Sequence, residues 1–145
     1  MSDIVSIQKR SEMMSGIKGR NTKPEIQLRR WLHRQGFRFR LHQRSLPGSP
    51  DIVLAKYGLV IFVHGCFWHR HQGCRFSTMP ATHTEFWRDK FLANQARDIR
   101  DRSALLNANW RVLVVWECGL RERRDLTQIA AWIEESVEAH AEWPF

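Results

Sequence analysis

Val60-Ile61-Phe62-Val63-His64-Gly65-Cys66 and, further on, Val112-Leu113-Val114-Val115-Trp116-Glu117-Cys118 decide the fold. Each is a short apolar run, mostly β-branched, with a cysteine three residues after its last member. Runs of that length and composition read as strands buried on both faces. Between them, Thr84 to about Asn107 is long and polar and reads as a helix. A helical crossover returns the chain in the same direction, so the two strands should lie parallel. Both cysteines then leave the sheet at the same edge.

Working outward, Lys56-Tyr57-Gly58 joins Asp51–Ala55 to Leu59–Val63 as a hairpin. SLPGSP (45–50) is a turn, and Phe37, Phe39 and Leu41 alternate with Arg38, Arg40 and His42 as a half-buried strand. Thr22 and Glu25 form a capping box with Pro24 in the first turn. Leu28, Trp31 and Leu32 then mark the inner face of a helix that stops at Gly36. Residues 1–20 are basic and glycine-containing, a flexible arm with a short helix around Met13 and Met14. Asp125 to about Ala139 reads as a final amphipathic helix. The expected architecture is α/β: a single domain over 21–145, with one mixed sheet flanked by helices.

The chain has 145 residues and a formal net charge of +8, which points to a polyanionic partner without saying which one. Seven tryptophans and eight phenylalanines against one tyrosine add flat side chains able to stack on bases. Trp31, Trp110, Trp116 and Trp132 are expected in the core. Neither a long apolar stretch nor a signal-peptide core is present, so a soluble cytoplasmic protein without membrane contact is expected.

Three cysteines cannot complete a disulfide framework. Cys74 and His64, His69 and His71 share the loop at the edge where Cys66 and Cys118 emerge. Three thiolates and one imidazole close a tetrahedral zinc site, with His71 preferred over His69 as the fourth ligand. Taken singly, Cys118 reads better as a small buried hydrophobe; the four together, in a loop too polar to hold itself, favour zinc.

Asp51 follows Pro50 at the start of a strand. Metal-dependent nucleases place an acid there, with a second group one strand along, to hold Mg²⁺ against the scissile phosphate. That second place reads Phe62-Val63-His64, with neither acid nor lysine. A backbone carbonyl and histidines would have to substitute, and histidine can act as a base near neutral pH. Alternatively, Asp51 caps a hairpin turn, and His64 and His69 orient zinc ligands or face solvent. Phe67 and Trp68, between a proposed zinc ligand and a proposed catalytic histidine, either pack the zinc loop or insert beside weakly stacked bases.

LPGSPDIV (46–53), VIFVHGCFWHRH (60–71), PATHTEFWRDK (80–90) and NWRVLVVWEC (109–118) together resemble the very short patch repair endonucleases. The resemblance spans about residues 10–125. It implies a restriction-endonuclease-like fold, a structural Zn²⁺ and Mg²⁺-dependent nicking 5′ to the thymine of a G·T mismatch left by deaminated 5-methylcytosine. It further implies that Asp51 and the Val63 carbonyl hold the Mg²⁺ and His69 is the general base. His64 assists at the phosphate, and Glu25 is a supporting acid. Cys66, His71, Cys74 and Cys118 would hold zinc. Phe67, Trp68 and Trp87 would wedge beside the mismatch while Met14 inserts from the other groove. The protein would be a monomer acting on double-stranded DNA near the bacterial nucleoid, with repair-pathway proteins as possible partners. Two positions depart from the pattern: Val63 stands where threonine is common, and the Cys66–Cys74 loop is one residue longer around Gln72-Gly73. The rivals are a site-specific restriction-type endonuclease of the same fold and a zinc-stabilised DNA-binding module without chemistry.

Overall fold

The computed structural model describes residues 20–145. Along it run α1 (Lys23–Arg34), β1 (Arg40–Leu41), β2 (Ile52–Leu54), a 3-10 turn (Ala55–Tyr57), β3 (Leu59–His64), α2 (Thr84–Asn107), β4 (Arg111–Trp116), α3 (Glu117–Arg121), α4 (Thr127–Glu135) and β5 (His140–Trp143). The sheet order is β1-β2-β3-β4-β5. β1, β2 and β3 pair antiparallel, whereas β3–β4 and β4–β5 are parallel, so the sheet is mixed as expected. His64 pairs with Trp116, which brings Cys66 and Cys118 out side by side two residues beyond the ends of their strands.

Strand alternation sorts the two faces. Ile52, Leu54, Leu59, Ile61, Leu113, Val115 and Trp143 point into the main core, closed by Leu28 and Leu32 of α1, Leu120 of α3 and Ile129, Trp132 and Ile133 of α4. On the opposite face Val53, Val60 and Val112 meet Leu105 near the C-terminal end of α2. Beyond them Val114 and Trp116 pack with Cys66 and Cys118. Trp116 and Trp132 are buried as expected, while Trp31 and Trp110 are partly buried against the two cores.

The C-terminal helix does not reach Ala139: it ends at Glu135, and a fifth strand follows. Ser136 breaks the helix by accepting the Glu138 N–H. The Arg111 guanidinium then caps it, donating to the carbonyls of Trp132, Ile133, Ser136 and Glu138. The last carbonyls of a helix lack intrahelical donors; the Trp132 carbonyl also accepts the Ser136 N–H. The half-buried strand after Gly36 also shrinks to Arg40–Leu41, although Phe37 is buried as its alternation required. Met14 and the short helix expected around it lie outside the described residues. Among the described residues, no helix is long and apolar enough to cross a membrane.

Candidate active site and metal centre

A cleft of about 790 Å³ opens on the α2 face of the sheet. Glu25, Asp51, Val63, His64, Phe67, Trp68 and His69 all line it, so the structure gathers the expected catalytic residues and two of the expected aromatic ones in one place, while Trp87 is not among the lining residues. Arg20, Lys23, Arg44, Arg97 and Arg102 supply basic walls.

Asp51 sits just before β2, and its Oδ2 accepts the Val63 N–H at 2.7 Å. Its other oxygen is not engaged by this bond. Burial, aided by the nearby Glu25 carboxylate, pushes the Asp51 pKa up to about 7; the Val63 N–H and His69 pull the other way. A carboxylate held at that threshold gains strongly from a cation that restores its charge. The Val63 side chain packs against the main core, so at this position only the backbone faces Asp51.

His64 and His69 stack with ring centroids 3.8 Å apart and planes within 3°. Burial, then the proximity of His69 and Arg102, holds His64 well below the usual imidazole range, so it stays neutral. His69 Nδ1 donates to Asp98 Oδ2 at 2.6 Å. That bond leaves Nε2 as the lone-pair nitrogen, the tautomer a general base requires.

Glu25 is almost fully buried, and its carboxylate is heavily used. The Thr22 hydroxyl accepts the Glu25 N–H as a cap should, but the carboxylate takes the N–H of Asn21 rather than that of Thr22. Its second oxygen accepts from His42 Nε2 at 2.6 Å and from Arg29 at 2.9 Å. Asp98 and His42 are the residues that sequence reasoning missed. His42 was visible only as an outward position of a short strand, and Asp98 only as one charge among many on α2.

At the sheet edge, Cys66, His71, Cys74 and Cys118 bring their ligand atoms within 4.8 Å of one another. His71 Nδ1 lies 3.7 Å from Cys66 Sγ and 3.4 Å from Cys118 Sγ. Ligands about 2.0–2.3 Å from a shared tetrahedral ion would stand roughly 3.5 Å apart, so this donor set fits zinc. Burial pushes the Cys66 and Cys118 thiols up and the His71 imidazole down. Thiolates crowded there need a cation beside them. Within this loop Gly73 takes φ +72°, where a Cβ would be strained, and His71 stands among the cysteines. His69 is turned instead toward Asp98, away from the cysteines.

Between the two centres, Phe67 meets Trp68, Trp87 and Phe91 at centroid separations of 5.1, 5.5 and 5.1 Å. Phe91 is buried, whereas Phe67, Trp68 and Trp87 are only partly so. Arg70 braces this group by donating to the carbonyls of Phe67, Ser77 and Thr78 while lying 4.0 Å over the Phe91 ring. Asn94 on α2 donates to the Trp68 carbonyl. The aromatic cluster is thus tied both to the Cys66–Cys74 loop and to the helix that carries Asp98.

Comparison with known proteins gives first a class, that of DNA endonucleases. The chain is 48% identical over 122 residues to a type II nicking enzyme, V.XorIIP, of Xanthomonas oryzae pv. oryzae, covering 84% of this chain and 89% of the relative. It is 46% identical over 143 residues to the DNA mismatch endonuclease Vsr of Escherichia coli (99% and 88%). It is 40% identical over 141 residues to the type II nicking enzyme V.NmeAIP of Neisseria meningitidis serogroup A (94% and 100%). The profile of the family described as DNA mismatch endonuclease Vsr matches residues 2–75. The chain belongs to the DNA mismatch endonuclease Vsr family.

Proposed function

We propose that this protein nicks the thymine strand of a G·T mismatch, 5′ to the thymine, in double-stranded DNA. It would do so with a catalytic Mg²⁺ and a structural Zn²⁺. The observation that carries the reading is Asp51, raised to about 7 by burial, beside a His69 whose Nδ1 is held by Asp98. A pure DNA-binding module has no use for that pair.

Asp51 and the Val63 carbonyl would hold the Mg²⁺, which supplies charge neutralisation at the scissile phosphate and an activated water. His69 Nε2 accepts the proton of the attacking water, and Asp98 fixes the ring and stabilises the imidazolium that results. His64, kept neutral, can face the phosphate without competing for that proton. Glu25, held by Arg29, His42 and Asn21, shapes the floor beside Asp51. Cys66, His71, Cys74 and Cys118 would hold the Zn²⁺ that fixes the loop carrying Phe67 and Trp68.

These two side chains, with Trp87, would enter the stack at the mismatch, where unstacking costs least. Met14 and the rest of the 1–20 arm would approach from the other groove, and residues 21–145 form the catalytic domain. One active site per monomer favours a nick over double-strand cleavage, against the restriction-type alternative. The test compares nicking of G·T-mismatched and matched duplexes with Mg²⁺ and with EDTA, alongside elemental analysis of the purified protein. Nicking of the mismatch alone, abolished by EDTA, with one zinc per chain, is expected. Equal cleavage of both duplexes, or active protein without zinc, would overturn the corresponding part.

A further inference from the structure

Outside the cleft, α1 carries a charge pattern that neither catalysis nor stability explains. Lys23, Arg30 and Arg34 are exposed, and with Gln27 and Ile26 they line a shallow groove on its outer face. Positions 23, 27, 30 and 34 recur at helical spacing and so form one stripe. The helix has no exposed acid: its only carboxylate, Glu25, is buried in the cleft. Among the described residues, no carboxylate lies within ion-pair distance of Lys23, Arg30 or Arg34.

Two features of the stripe work against the helix. Lys23 stands in the first turn, where the helix dipole disfavours a cation. Arg30 and Arg34 are like charges four residues apart, an arrangement that costs a few tenths of a kcal/mol. The dipole accounts for Arg34 but for neither of the others. The exposed face of α2 shows the usual alternative, mixing Glu85, Arg88, Asp89, Arg97 and Arg100. The stripe is also continuous with the cleft, since Lys23 lines both.

We propose that the outer face of α1 is a second DNA-backbone surface, on which the duplex flanking the nick lays one strand's phosphates. From Lys23 at the cleft to Arg34 the stripe is about 16 Å long. That length equals roughly five base-pair steps of duplex axis. The contacts are to phosphates alone, so they add affinity without sequence or mismatch preference. The inference rests on duplex DNA being the substrate.

The test measures binding of labelled G·T and matched duplexes across a salt series, with Ca²⁺ replacing Mg²⁺, for the wild type, Arg30→Ala/Arg34→Ala and Arg30→Lys/Arg34→Lys. The alanine pair should weaken both duplexes equally, by about tenfold near 0.1 M salt, and flatten the log–log salt slope by about 2. The lysine pair should restore the slope. Single-turnover nicking at saturating alanine variant should match the wild type. Trimming five base pairs from one flank should weaken the wild type but not the alanine variant. Unchanged affinity and slope in the alanine pair, with the wild type still nicking the mismatch, would overturn this surface alone. If the wild type never nicks G·T duplexes but the alanine pair still flattens the slope, the proposed reaction is overturned and the surface stands.

Discussion

The two faces of the sheet are made by the same strands and behave as different materials. On one face Ile61, Leu113 and Trp143 are sealed under α1, α3 and α4. On the other, Phe62, His64 and Val114 stand under a single long helix that leaves a cleft, and Trp116 packs with Cys66 and Cys118 beyond it. Alternate residues of one strand are therefore committed to stability or to chemistry. α2 shows how: only Phe91, Asn94 and Leu105 of its residues are buried, so it bridges the sheet instead of sealing it. Strand period does the sorting, and a one-residue slip in β3 would exchange the two roles.

The comparison predicts that the faces can be damaged separately. The largest effect belongs to Asp51→Asn, which should reduce nicking to background while leaving the fold intact. Its stability should rise near neutral pH in EDTA, since an acid raised to about 7 by burial favours the folded state only while protonated. Above the unfolded value near 4 the folded chain holds the extra proton. Wild-type stability should therefore fall between about pH 4 and 7, a fall that Asp51→Asn lacks. Melting curves against pH check this, and parallel curves would show that Asp51 is not strained.

Trp143→Ala, on the sealed face, should do the reverse. Denaturant unfolding should show a loss of about 3–5 kcal/mol, with nicking per folded molecule nearly unchanged. A selective loss of rate would mean that the faces are coupled.

Asp98→Asn should lower the single-turnover rate on the order of 10²-fold by freeing the wrong tautomer of His69, without altering affinity for DNA. The rate–pH profile should shift along with it. Trp68→Ala comes next: mismatch affinity should drop by about 1–3 kcal/mol, while matched affinity and the salt slope stay put. Equal loss on both duplexes would mean that the residue only packs the Cys66–Cys74 loop. Smallest of all, Val63→Thr should leave nicking per folded molecule almost as it was, because the side chain points at the core. It should cost about 1 kcal/mol of stability for the buried hydroxyl.

What the sequence disclosed follows the same division. Period and length revealed α1, α2, β3 and β4, since each is long enough for its pattern to repeat. The gathering of the cysteines at one edge was legible because Cys66 and Cys118 stand at equal offsets from two strands that had to be parallel. β5 was not, because His140–Trp143 is too short for its alternation to outweigh the helical pattern before it. The Arg111 cap that ends α4 comes from a residue 22 positions away at Ile133. His42 and Asp98 escaped for a related reason. Their partners lie 17 and 29 residues distant, and what brings them together is the rotation of α2 and a left-handed turn at His42 (φ +48°). Local pattern encodes elements; the choice of which charged residue meets which histidine is made only in three dimensions.

The parallel pairing of β3 with β4 also sets an order in time. Hairpin β2–β3 closes over the four residues 55–58, whereas Cys66 and Cys118 are 52 residues apart. Closing a loop of that length costs about 3–4 kcal/mol of chain entropy before any contact repays it. A refolding chain should therefore own its hairpin early and its central strand pair late. Cys66, His71 and Cys74 are near neighbours from the start, but Cys118, the fourth ligand of the proposed zinc site, arrives only with β4. A cation gripped by three ligands would wait for that arrival, so metal capture and completion of the sheet should be observed as a single kinetic step.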